Sequence, residues 1–152
     1  TLHTVADAIE GATDLPFLHI VDACGARLQA DGRHRPGLFG TAFTMAQPYF
    51  VDRLTETTGM VPLLPDADTQ TELSRIIFEE LTHGIVTEAS IAYYRAAIQT
   101  LKDQGCDSII LGCTELGMLI TEENSPLPPY DTALIHCEAI VDWILSDTPA
   151  QP

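Results

Sequence analysis

The sequence predicts an α/β fold, a doubly wound parallel sheet with right-handed crossovers. Short apolar segments alternate with longer amphipathic segments along the 152 residues, as strands and helices do in such sheets. The clearest strand is Ser108–Leu111, where three consecutive apolar residues, two of them β-branched, indicate burial on both faces. A chain of this length can bury roughly two-thirds of its unfolded surface, which is enough for one globular core.

Apolar spacing and capping residues place the other elements in chain order. Further strands or extended segments are predicted at residues 17–21, 36–40, 60–64 and 127–130, and Pro62 indicates that the segment at 60–64 is an edge strand or a short element. Helices are predicted at residues 1–11, 22–32, 49–58, 73–84, 87–105 and 116–120, and from residue 131 onward. Phe78 and Tyr94 lie in apolar helical stripes, so we expect both in the core.

Composition excludes several classes of protein. Twenty-two acidic and seven basic residues give a net charge of −15, which opposes binding to nucleic acid or to anionic membranes. No apolar run is as long as a membrane span, and we expect a cytoplasmic protein. The four cysteines show neither a zinc-type spacing nor a disulfide pattern, so they are expected to be free thiols without a metal: Cys24, Cys106, Cys113 and Cys137.

Cys113 is the candidate for chemistry because it follows the predicted central strand. Ligands of open α/β sheets bind beside the carboxyl ends of strands, and a helix beginning at Thr114 would favour the thiolate over the thiol. Gly112 allows a close approach of backbone or ligand, and Thr114 and Glu115 add polar atoms that a packing position would not need. The alternative is that Cys113 is a small buried apolar residue, as most free cysteines are.

A second hydroxyl-rich turn follows the strand predicted at residues 36–40. Thr41 and Thr44 either hydrogen-bond a small polar ligand or cap the next helix, and the sequence leaves both roles open. If the two strands are neighbours in the sheet, the thiol and these hydroxyls line one cleft. His19 and Cys24 are interpreted as structural residues, and so is His136 when it is taken by itself.

Two motifs near the end of the chain resemble the aspartate/glutamate racemase family. They are Gly-Cys-Thr-Glu-Leu at residues 112–116 and Leu-Pro-Pro-Tyr-Asp-Thr-Ala-Leu-Ile-His at residues 127–136. Residues 14–22, 37–45 and 78–90 are similar to the aspartate racemase branch of that family. The resemblance covers nearly the whole chain.

This resemblance implies two similar α/β lobes with a cleft between them, and one cysteine from each lobe facing the α-carbon of the substrate. Cys113 matches the second cysteine, whereas residues 1–3 look like the remainder of the turn that carries the first. We therefore expect an N-terminally incomplete chain that lacks most of the first lobe and is inactive alone. The expected domains are residues 1–21 as the end of the first lobe, 22–122 as the second lobe, and 123–152 as a segment returning to the first.

The resemblance implies a racemase that needs neither pyridoxal phosphate nor another cofactor. It would interconvert the L and D forms of aspartate, glutamate or a similar amino acid by two-cysteine proton transfer, with Cys113 catalytic. Threonine hydroxyls are suitable donors to the substrate carboxylate: Thr1, Thr41, Thr44 and Thr114. Glu115 and His136 match motif positions, where they either orient the thiol or have a structural role, and a homodimer is possible.

Two alternatives remain open at this point. One is a decarboxylase or isomerase of the same superfamily that uses a single activated cysteine. The other is a non-catalytic domain that binds an amino acid and leaves its α-proton in place.

Overall fold

A computed structural model describes residues 2–146 of the chain, and its centre is a parallel sheet. Strands β1 (Pro36–Phe39), β2 (Ser108–Leu111) and β3 (Pro129–Asp131) lie in the order β1-β2-β3, and both pairs are parallel. The α-helices within residues 2–146 are α1 (Ala6–Glu10), α2 (Ile20–Ala30), α3 (Ala42–Ala46), α4 (Pro48–Thr58), α5 (Ala67–Glu79), α6 (Glu88–Asp103) and α7 (Thr132–Leu145). Short 3₁₀ segments occur at Leu2–Val5, Leu81–His83 and Thr114–Met118.

Strand β2 is buried along its whole length and joins two separate cores. Ile109 and Leu111 pack with side chains of α5 and α6, whereas Ile110 packs on the opposite face with α2, α4 and α7. Successive side chains of a strand point to opposite faces, so a strand covered on both sides has an unbroken apolar sequence. The predicted α/β sheet is therefore confirmed. Among the described helices, none combines the length and the apolar character that crossing a membrane requires.

The strand predicted at residues 17–21 is wrong, because α2 already begins at Ile20. His19 is the N-cap of this helix, and its Nδ1 accepts a hydrogen bond from the Val21 amide at 3.1 Å. The strand predicted at residues 60–64 is reduced to a single parallel bridge between Leu63 and Gly37. This bridge lies on the outer side of β1, which agrees with the edge position that Pro62 indicates.

The core position predicted for Phe78 is also wrong, whereas that for Tyr94 is confirmed. Tyr94 is fully buried, but 59% of Phe78 is exposed. A helix turns by about 100° per residue, so a residue directly after Ile76 and Ile77 points away from the face that they bury.

The ends of β1 and β2 are held close by a glycine. The Gly112 amide donates a hydrogen bond of 2.7 Å to the Phe39 carbonyl oxygen. A Cβ at position 112 would lie 3.0 Å from that oxygen and 3.2 Å from Leu38 Cδ1. Glycine is thus favoured here because a Cβ would be crowded by the backbone of β1, which would have to shift by a few tenths of an ångström.

We expect Gly112→Ala to lower the free energy of unfolding by about 1–3 kcal/mol, because the added methyl group overpacks against the backbone of β1. The backbone displacement that the methyl group causes should also raise the alkylation rate of Cys113, the next residue. Urea denaturation and mass spectrometry after iodoacetamide treatment measure the two effects.

Gly32→Ala is the matched control. Gly32 has a left-handed φ of 66°, and no atom lies within 4 Å of the point that a Cβ would occupy, so only backbone strain is added. It should cost about 1 kcal/mol and leave the alkylation of Cys113 unchanged. Equal alkylation rates in the parent and in Gly112→Ala would contradict the role given to Gly112.

Candidate active site

The two turns that the sequence singles out meet at one edge of the sheet. Because β1 and β2 are parallel neighbours, their carboxyl ends bring the turn after Phe39 beside the turn after Leu111. Thr44 Cγ2 lies 3.4 Å from the position of a Cβ on Gly112, so the first turn packs directly against the second. The two strands are therefore neighbours, whereas a cleft shared by the thiol and the hydroxyls stays a prediction.

Cys113 is partly exposed at this edge and hydrogen-bonds a carboxylate. It is the N-cap residue of the 3₁₀ segment Thr114–Met118, with an extended backbone. Its Sγ donates to Glu115 Oε2 at 2.9 Å, and the Thr114 hydroxyl donates to the same oxygen at 2.7 Å. The carboxylate therefore orients two neighbouring groups, and Thr114 itself is exposed.

The local electrostatics favour the thiol, so the expectation of a thiolate at Cys113 is wrong. Burial raises the pKa of Cys113 to about 12, and the hydrogen bond to Glu115 adds to this effect. The backbone amides of Glu115 and Thr114 act in the opposite direction but are outweighed. The pKa of Glu115 is held below its usual value by the hydrogen bonds from Cys113 and Thr114.

Thr41 and Thr44 form a capping arrangement. Thr41 Oγ1 accepts a hydrogen bond from the Thr44 amide at 3.2 Å, which makes Thr41 the N-cap of α3. The two hydroxyl oxygens lie 3.2 Å apart, and Thr44 is only 4% exposed. Both hydroxyls thus have partners within the turn, while half-buried Thr41 remains accessible from the edge.

The contacts of His136 are with residues other than Cys113. Its Nε2 hydrogen-bonds the Leu18 carbonyl oxygen at 3.0 Å, and its ring centroid lies 5.6 Å from that of His3. The structure therefore joins His136 to the segment before α2. Thr1, the fourth threonine predicted to bind substrate, lies outside the described residues.

Two residues near this edge make polar contacts that the sequence analysis did not predict. Ser74 Oγ accepts a hydrogen bond from the Ala42 amide at 3.1 Å and so fixes the first turn of α3 to α5. Tyr94 donates to the Leu73 carbonyl oxygen at 2.9 Å, and its pKa is raised by burial and by the nearby Cys113. The sequence signal for these contacts was the presence of a serine and a tyrosine within otherwise apolar helical stripes. Within residues 2–146, no group of three or more His, Cys, Asp or Glu side chains is arranged to hold a metal ion.

Comparison with known proteins gives the same picture of the fold. The crystal structure of a candidate Asp/Glu racemase from Yersinia pestis superposes with a TM-score of 0.91 at 41% sequence identity, covering 95% of this chain and 63% of that protein. An aspartate racemase homologue from Pyrococcus horikoshii gives a TM-score of 0.84 at 28% identity, covering 92% of this chain and 61% of that protein. The chain thus spans less than two-thirds of the length of either relative.

A more distant structure, the aspartate racemase of Picrophilus torridus, shares the fold with a TM-score of 0.66 at 19% identity and covers 83% of this chain and 52% of that protein. The sequence profile of the Asp/Glu/hydantoin racemase family matches residues 1–140. That match includes both turns of the sheet edge, with Cys113, Glu115 and the threonines. The chain therefore belongs to the Asp/Glu/hydantoin racemase family.

Proposed function

We propose that the protein to which this chain belongs interconverts the L and D forms of an amino acid without a cofactor, and that Cys113 is the acid/base on one face of the α-carbon. Family membership supports a racemase-type activity. The observation that carries the assignment of Cys113 is its Sγ–H group, partly exposed at the carboxyl end of β2 and hydrogen-bonded to Glu115 at 2.9 Å. Aspartate, glutamate or a similar amino acid is the proposed substrate, as the names of the relatives from Yersinia pestis and Pyrococcus horikoshii suggest.

Racemisation needs two proton-transfer groups on opposite faces of one carbon. In one direction, a base on the far face removes the α-proton, and the S–H bond of Cys113 breaks as a new C–H bond forms on its side. The electron pair of the S–H bond stays on sulfur and leaves a thiolate. In the reverse direction this thiolate takes the proton back. In the two-cysteine scheme, the group on the far face is a second thiol.

The raised pKa of Cys113 suits this role. The α-proton of an amino acid is very weakly acidic, and each unit by which the pKa of the base rises makes its removal easier by about 1.36 kcal/mol. A thiol whose pKa is about 12 is fully protonated at neutral pH, so Cys113 begins the cycle as the acid. Once its proton has left, the thiolate faces the Glu115 carboxylate at close range and is a strong base.

The negative charge that develops on the substrate needs hydrogen-bond donors. The amides of Thr114 and Glu115 point toward the sulfur region, and the Thr114 hydroxyl is exposed beside it. We propose Thr41, Thr44 and Thr1 as further contacts of the substrate carboxylate, with the Thr41–Thr44 hydrogen bond opening to receive it. His136 would support the site indirectly by fixing Leu18 and the segment before α2.

The first prediction concerns Cys113→Ser in the full-length gene product. We expect racemisation to fall by about 10²–10⁴-fold, because a positioned acid/base contributes that much and a hydroxyl is a poor substitute. Exchange of the α-proton with deuterated water should be lost for the enantiomer whose proton faces Cys113 and partly retained for the other. Proton NMR of each enantiomer measures both rates.

Cys137→Ser is the matched control, because Cys137 is an exposed free thiol on α7 and should leave both rates unchanged. Equal exchange of both enantiomers by Cys113→Ser and the parent would exclude Cys113 as the acid/base. Binding of an amino acid in calorimetry without any α-proton exchange in the parent would favour a binding domain instead.

The second prediction concerns the thiol itself. Glu115→Gln removes the carboxylate that accepts the thiol hydrogen bond, so the pKa of Cys113 should fall from about 12 toward its usual value, although burial still raises it. In a Cys137→Ser background, the rate of alkylation by iodoacetamide should then rise with pH over a lower range than in the parent.

Glu122→Gln serves as the control, because Glu122 is an exposed carboxylate that is not among the groups shifting the pKa of Cys113. Its alkylation profile should match that of the parent. Identical profiles for all three proteins would show that Glu115 does not influence the thiol.

A further inference from the structure

Three histidine rings pack together where three separate parts of the chain meet. The ring centroid of His3 lies 4.7 Å from that of His19 and 5.6 Å from that of His136, in edge-to-face geometry. The ring of Phe17 packs against this group, and its centroid lies 6.0 Å from those of both His3 and His19. The rings come from the first 3₁₀ segment, the N-cap of α2 and the second turn of α7, so they connect these three elements.

The hydrogen bonds of this histidine cluster require a neutral His19. Nδ1 of His19 accepts the Val21 amide at 3.1 Å, and a protonated nitrogen cannot accept that bond. The other side of the His19 ring interacts with the backbone of His3. A proton on Nδ1 would therefore remove the cap of α2 and place a cation at the positive end of that helix.

The charged groups around the cluster do not offset this preference. Arg53 of α4 faces His3 and His19, and its guanidinium is held by Asp22 through bonds of 2.8 and 2.6 Å. Asp22 favours a charged His19, but burial and Arg53 act more strongly in the other direction. Three carboxylates of α1 and α4 line a cavity of about 170 Å³ together with His3 and His19: Asp7, Asp52 and Glu56. Asp7 and Glu10 of α1 also interact with Arg53.

The segment from Leu2 to Glu10 contacts α2 and α7 through the ring of His3. Ala6 is buried in this segment and Ile9 is half-buried, whereas Leu2 and Val5 are 77% and 48% exposed. The ring contacts of His3 with His19 and His136 therefore link the segment to α2 and α7.

We propose that the histidine cluster is a pH-sensitive clasp, which fastens residues 2–10 to α2 and α7 while His19 is neutral and releases them when His19 is protonated. The clasp is tested by hydrogen exchange and imidazole titration, and the proposed function by racemisation, so failure of one is distinguishable from failure of the other.

The direction of the pH dependence follows from the lowered pKa values of His3 and His19. Burial, with smaller effects of His19 and His136, lowers the pKa of His3 from 6.5 to about 4, and burial followed by Arg53 lowers the pKa of His19. The unfolded chain thus binds protons at a higher pH than the folded chain. The stabilisation of the folded chain by the neutral His3 ring is complete above pH 6.5 and is lost as the pH falls from 6.5 toward 4.

The test uses amide hydrogen exchange and imidazole NMR on the full-length gene product that contains this chain. After correction for the intrinsic pH dependence, protection of residues 2–10 and of the Val21 amide should fall by about tenfold or more between about pH 7.5 and about pH 5. In His19→Asn, the asparagine can accept the Val21 amide but cannot titrate, so the pH dependence at Val21 should shrink to less than about twofold. His34→Asn, which changes an exposed histidine outside the cluster, should behave like the parent.

If His19→Asn loosens residues 2–10 at every pH, imidazole nitrogen NMR spectra of the parent provide a second test. In the parent, His19 should carry its proton on Nε2 and titrate below 6.5. A His19 that titrates at or above 6.5, or protection of residues 2–10 that does not change with pH, would overturn the clasp.

Discussion

The parallel pairing of β1 with β2 is the constraint on which both the fold and the candidate site depend. It sets Phe39 opposite Leu111, so the two chains leave the sheet side by side. The amide of Gly112 then closes on the Phe39 carbonyl oxygen and fixes where Cys113 begins. The same strand β2 supplies Ile110 to one core and Ile109 and Leu111 to the other, so the packing that stabilises the domain also holds the thiol in place.

The chemistry of the site results from two opposed local effects on one sulfur atom. Backbone amides at the start of the 3₁₀ segment favour a thiolate, whereas burial and the Glu115 carboxylate favour the thiol. A helix N-terminus contributes roughly half a unit charge, spread over several amides, but a carboxylate at hydrogen-bonding distance contributes a full charge. The carboxylate and burial therefore prevail, and the result is a thiol with a raised pKa, whose thiolate is a correspondingly strong base.

Much of this arrangement could be predicted from the sequence, because its signals are local. The apolar run indicates β2, Thr87 and Asp131 are recognisable N-caps, and the order of elements predicts the parallel sheet. The strand prediction at residues 17–21 fails because a histidine caps α2, and histidine is not among the usual capping residues. The ionisation of Cys113 could not be predicted because it depends on where the Glu115 side chain points, and this is set only by the folded turn.

Both borders of the sheet are poor templates for another chain. On the β1 side, the lone residue Leu63 occupies the outward-facing Pro36 carbonyl and Leu38 amide with hydrogen bonds of 2.9 and 3.0 Å. On the β3 side, Pro129 lacks an amide hydrogen altogether. Blunted borders of this kind disfavour the addition of a further strand, so within residues 2–146 the sheet ends at three strands by its own chemistry.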